Sequence, residues 1–135
     1  MLNELAQQIH EAAEEKGFWD KERNTGELLM LIVSELSEAL EADRKGRRGQ
    51  LNNFIRDLEY AQFTIDDFNL DDRDNYRWIA NRFETTIKDT FEDEIADALI
   101  RILDLCAAMG IDIDLHIKAK LRYNLGRPKK HGKAY

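Results

Sequence analysis

Cysteine, proline and valine each occur once in this 135-residue chain, as Cys106, Pro128 and Val33. One cysteine excludes an internal disulfide framework and any multi-cysteine zinc site, and it fits a reducing compartment. Near-absence of proline and valine speaks for helices and against a sheet protein. Long hydrophobic runs are missing too. The longest, Leu28 to Val33, is far short of the roughly 20 residues of a membrane span, so no membrane partner is expected. The N-terminal MLNELAQQIHEAAEEK is acidic and carries no basic n-region, so no signal peptide is expected and the chain reads as cytoplasmic. A broad basic surface is also lacking: the net charge is -7, which argues against a nucleic-acid polymer as partner.

What is present is charge of both signs, unevenly placed. All 27 acidic residues lie within 1–115, and residues 116–135 hold seven of the 20 Lys/Arg and no acid. Such a block is often an ordinary solvated tail; alternatively it can help hold an anionic ligand. The length suits a single domain over 1–135, with 126–135 as a basic C-terminal tail.

Apolar residues at 3.6-residue spacing predict an all-α fold of five to six helices. The expected segments are 2–16, Thr25 to about Lys45, 50–68, 75–88, 91–109, and Asp112 or Asp114 to about Asn124. Gly17, Gly46 and Gly110 are natural stops, and Thr25 and Thr90 are the expected caps of the second and fifth helices. The run LLMLIV makes the second helix apolar all round in its first half. That implies deep burial or an interface, and hence a homodimer or dimer of dimers.

Two carboxylate pairs stand out. Glu35 and Glu38 are three apart on the second helix, and Glu94 and Asp97 are three apart on the fifth. Residues i and i+3 share a helix face, so each pair can aim two carboxylates at one place. Four converging carboxylates repel unless a cation sits among them, and all-oxygen ligation selects Mg²⁺ or Mn²⁺. No histidine stands three after either leading glutamate, which weakens a di-iron reading. The plain alternative is that Glu94, Asp97, Arg101 and Asp104 form a solvated polar stripe, as do Glu27, Ser34, Glu38, Glu41 and Lys45.

SELSEALEADRKG, then EDEIADALIRILDLCAAMGIDI, then KAKLRYNLGRPKKHGKAY resembles the MazG-like nucleotide pyrophosphohydrolases, of the all-α NTP pyrophosphatase superfamily. Its E-x-x-E and E-x-x-D motifs match Glu35, Glu38, Glu94 and Asp97, and the basic ending matches from Lys120 to Tyr135. The matching segments cover 25–46 and 90–135, whereas 46–90, rich in aromatics, is longer than in the smallest members of the family. The resemblance implies a four-helix core around an acidic metal site, completed by dimerisation. It implies Mg²⁺-dependent hydrolysis of a nucleoside triphosphate to monophosphate and pyrophosphate, with those four carboxylates as metal ligands and catalytic residues. It also implies substrate contacts from Lys120, Tyr123, Asn124, Arg127, Lys130 and Lys133. Trp19 is a candidate for stacking on the base, against the commoner role of a core or interface anchor. Two other readings stay open: a pyrophosphatase selective for dUTP or dCTP, and a catalytically silent helical scaffold. Cys106 reads as a small core residue, and His10 and His116 show no ligand spacing.

Overall fold

The computed structural model describes residues 1–63 and 73–128. They form six helices and, among the described residues, no strand. The helices are α1 (Leu2–Glu15), α2 (Thr25–Arg44), α3 (Leu51–Tyr60), α4 (Arg73–Thr86), α5 (Phe91–Ala108) and α6 (Ile113–Leu125). The all-α expectation therefore holds. None of these helices is long and apolar enough to cross a membrane.

Most helix ends follow from local chemistry. At the end of α1, Gly17 has φ +80°, its N–H donates to Glu14 O, and the Phe18 N–H donates to Ala13 O. This is a Schellman stop, and the left-handed residue is where glycine avoids a Cβ clash. Gly46 and Gly110 close α2 and α5 with the same bond pattern. The start of α2 departs from expectation. Asn24 is the side-chain cap, accepting from the Glu27 N–H at 2.9 Å, and Thr25 is already helical. At the start of α5, the Thr90 hydroxyl donates to Ile87 O at 2.6 Å, and the Asp93 carboxylate accepts from the Asp89 N–H at 3.0 Å. Asp112 caps α6 by accepting from the Leu115 N–H at 2.9 Å.

The chain divides into two compact units, Leu29–Leu99 and Met1–Leu28 with Ile100–Tyr135. In Leu29–Leu99, α3, α4 and the residue that follows α4 build a core from Phe54, Leu58, Ile79 and Ile87, with Ile55 and Phe63 packed on it. Phe54 and Phe83 meet edge to face at 5.9 Å between centroids, a favoured aromatic geometry. Asp57 pairs with Arg82 beside that core. Residues 46–90 thus contribute a helical pair with its own apolar centre. The turn 46–50 is bonded to the start of α5: the Phe91 N–H donates to Arg47 O at 3.2 Å and the Gly49 N–H to Glu92 Oε2 at 2.7 Å. A Cβ at Gly49 would lie 3.1 Å from Thr90 Oγ1, so this close approach favours glycine.

In the other unit, α1 packs on α6. The Met1 ammonium donates to Asp114 Oδ2 at 3.0 Å, and Asn3 Nδ2 donates to Asp112 Oδ1 at 2.8 Å. Ala6, Leu103 and Cys106 are buried there. Cys106 is the small core residue expected, and burial pushes its thiol pKa up.

Candidate metal centre

On α2 the buried positions are Ile32, Glu35, Ala39 and Ala42, one helical face on which a glutamate interrupts apolar side chains. On α5 Glu94 and Ala98 are buried, again one turn apart. The turn 46–50 fixes the end of α2 against the beginning of α5, three residues before Glu94. Carboxylate oxygens of Glu35, Glu38 and Glu94 all lie within 4.8 Å of one another. Glu35 and Glu94 are 8% and 5% exposed, and Glu38 is open to solvent. Of the four carboxylates singled out from spacing, three converge. Asp97 is exposed and stands outside the 4.8 Å group, though near enough for its charge to act on Glu94.

The Glu94 carboxyl is pushed up to about 7, first by burial and then by the negative charges of Glu38, Asp93, Asp97 and Glu35. Asp93 is raised as well, by burial that outweighs the bond from the Asp89 N–H, with the charges of Asp89 and Glu35 adding to the rise. Glu92, the neighbour that leaves the cluster for the Gly49 N–H, is lowered by that bond. A neutral Glu94 relieves repulsion at low pH, and a bound cation would do so at higher pH. The donor set is entirely carboxylate oxygen. On a hard ion with bonds of about 2.1 Å, cis and trans ligand oxygens lie about 3 to 4 Å apart. Small rotations of the three side chains close a spacing of 4.8 Å to that range. The all-oxygen donor set is of the kind that could hold a hard divalent cation such as Mg²⁺ or Mn²⁺.

The expected substrate residues that are described all belong to the other unit. Tyr123 stands exposed on the last turn of α6, with Lys120 Nζ 5.1 Å and the Arg127 guanidinium 5.5 Å from its ring centroid. Two cations are thus gathered at one aromatic ring. Asn124 is half-buried at the same helix end. Lys130 and Lys133 lie outside the described residues. Trp19 is half-buried, and its indole N–H donates to both Asp104 oxygens at 3.1 Å. Asp104 also meets His10 Nδ1 at 2.7 Å, and the His10 and Trp19 rings pack edge to face at 5.0 Å. Asp104 therefore leaves the polar stripe it shares with Glu94 in sequence and serves a His–Asp–Trp network. Spacing gave no sign of that network, because its members come from α1, the following loop and α5.

No family model, curated protein or solved structure matches the chain.

Proposed function

We propose that this chain is an Mg²⁺-dependent nucleoside triphosphate pyrophosphohydrolase, converting a (d)NTP and water to (d)NMP and pyrophosphate. The observation that carries the reading is the convergence of Glu35, Glu38 and Glu94 within 4.8 Å with Glu94 held near a pKa of 7. The order of E-x-x-E and E-x-x-D along the chain, followed by the basic ending, supports it.

In this reading Glu35, Glu38 and Glu94 hold the cation and Asp97 adds negative charge beside Glu94. A divalent cation held there would supply positive charge for the triphosphate and lower the pKa of a water for attack at the α-phosphorus. Glu94 gives up its proton on loading, so affinity rises with pH through about 7. Lys120 and Arg127, gathered at Tyr123, supply positive charge for the leaving pyrophosphate, with Lys130 and Lys133 as further candidates. The active assembly is a homodimer or a dimer of dimers.

Pyrophosphate release measured across the eight common NTPs and dNTPs, with Mg²⁺ and with EDTA, tests the proposal. Release from at least one of them, abolished by EDTA, is expected; a strong preference for dUTP or dCTP would give the selective form of the reading. No release from any would leave the silent helical scaffold.

A further inference from the structure

Arg48 lies in the turn between α2 and α3, and its guanidinium meets both helices that carry the carboxylate cluster. Its Nη2 donates to Asp43 Oδ1, on the last turn of α2. Its Nη1 stands 3.9 Å from Glu92 Oε1, on the first turn of α5. The same group lies 4.5 Å from the ring centroid of Phe91, the first residue of α5. The backbone of the turn meets α5 at the same place, through the Phe91 N–H on Arg47 O and the Gly49 N–H on Glu92 Oε2. Glu92 thus takes a backbone donor on one oxygen and faces the guanidinium with the other.

Both anchors of Arg48 are close to the cluster. Asp43 follows Glu38 by five residues, and Glu92 precedes Glu94 by two. At 1.5 Å of rise per residue these are about 7.5 Å and about 3 Å along the helix axes. The force on this joint comes from the cluster itself. Glu35 and Glu38 on α2 and Glu94 on α5 bring carboxylates within 4.8 Å, and once they are ionised their repulsion drives the two helices apart. A guanidinium fork can pair carboxylates on two elements at once, a geometry that a lysine ammonium does not offer.

We propose that Arg48 is a positioning residue of the carboxylate cluster, holding the end of α2 to the start of α5 so that Glu35 and Glu38 stay opposed to Glu94. The empty site is then kept close to the spacing that a cation needs, and binding demands little rearrangement. The proposal rests on the cation-site reading above, and not on the substrate. Lys45 gives the contrast. Its side chain is as exposed as that of Arg48, 50% against 51%, but it pairs with Glu41 one helical turn earlier in the chain.

Charge alone and positioning predict opposite signs. Removing a cation beside a cation site should tighten metal binding or leave it unchanged. Loosening the joint should weaken it. In calorimetry with Mn²⁺ at pH 8, Arg48→Ala should bind about tenfold more weakly than the native chain, the scale seen for groups that orient metal ligands. Arg48→Gln, which keeps an aliphatic stem beside Phe91 and loses the charge, should show the same weakening. Lys45→Ala should bind as tightly as the native chain or more tightly. All three should keep the helical circular dichroism spectrum, because exposed ion pairs add little to stability. Native affinity in either Arg48 variant, or equal weakening in Lys45→Ala, would overturn the positioning role and leave the cation site standing. Loss of the helical spectrum in both Arg48 variants would overturn it too, making Arg48 a residue of the fold. A native chain that binds no Mn²⁺ would overturn the cation site, and the positioning role with it.

Discussion

Asp104 and Glu94 both lie on α5 and both withdraw a carboxylate from water, yet their surroundings are opposite in kind. Asp104 is met by the Trp19 N–H and by His10 Nδ1, donors that compensate a charge removed from solvent. Glu94 is more deeply buried, and the charges that act on it most are Glu38, Asp93, Asp97 and Glu35, all negative. A half-buried carboxylate with donors ties structure together. A buried carboxylate among carboxylates raises the free energy of the empty protein, and that excess can be relieved by a proton or a cation. Two acids ten residues apart on one helix thus have different surroundings: one holds α1 and the 17–24 loop, the other is buried among negative charges.

The sharpest break of this comparison is kinetic. Glu38→Gln and Glu94→Gln should each lower pyrophosphate release by about 10²- to 10³-fold or more with the helical spectrum unchanged, the scale of losing one charge-stabilising group. Asp104→Asn should keep release within about tenfold. Equal losses at Asp104 and Glu94 would erase the distinction. Next in size is the basic end: deleting residues 126–135 removes Arg127, Lys129, Lys130 and Lys133. If two charge-assisted phosphate contacts go, at about 1.5–3 kcal/mol each, affinity for a non-hydrolysable triphosphate analogue should fall by about a hundredfold or more. The monophosphate should lose less. Equal affinity for both before and after truncation would make the tail plain surface.

Stability should separate the two acids in the other direction. Asp104→Ala leaves the Trp19 and His10 donors without their acceptor, at a cost of about 1–3 kcal/mol and a Tm lower by several degrees. Glu94→Gln should leave the metal-free Tm unchanged or higher at pH 8, because it removes a charge from a repulsive cluster. The pH slope is of comparable size. Glu94 binds its proton more tightly folded, near 7, than unfolded, near 4.5. Its contribution to stability is full below the unfolded value and is lost as pH rises through 7. The Tm of the metal-free protein should therefore fall by a few degrees between about pH 5 and pH 8. Glu94→Gln should flatten that slope and Asp104→Asn should not.

Helix ends show how far the sequence could be read. Three helices stop at a left-handed glycine, and all three stops were visible as glycines: Gly17, Gly46 and Gly110. The expected third helix ran to 68, but α3 ends at Tyr60. Its stop has the same bond pattern, with the Phe63 N–H donating to Leu58 O and the Gln62 N–H to Glu59 O, but the left-handed residue is Gln62 at φ +63°. No glycine marks it, and Phe63 continues the apolar rhythm because it packs on the α3–α4 core. Residues 64–68 of that expected helix lie outside the described residues.

The carboxylate pairs were legible because i and i+3 spacing fixes a helix face, and Glu35, Glu38 and Glu94 do converge. What spacing could not supply was their unequal burial, with Glu35 and Glu94 inside and Glu38 and Asp97 in solvent. Nor could it supply the destination of Asp104, since its partners lie 85 and 94 residues away in the chain.

The central claim is that Glu35, Glu38 and Glu94 form a cation site, and titration calorimetry with Mn²⁺ and Mg²⁺ at pH 8 tests it most directly. The account predicts saturable binding to the native chain, lost in Glu94→Gln and retained in Asp104→Asn. Binding that is absent from the native chain, or that survives Glu94→Gln unchanged, would contradict it.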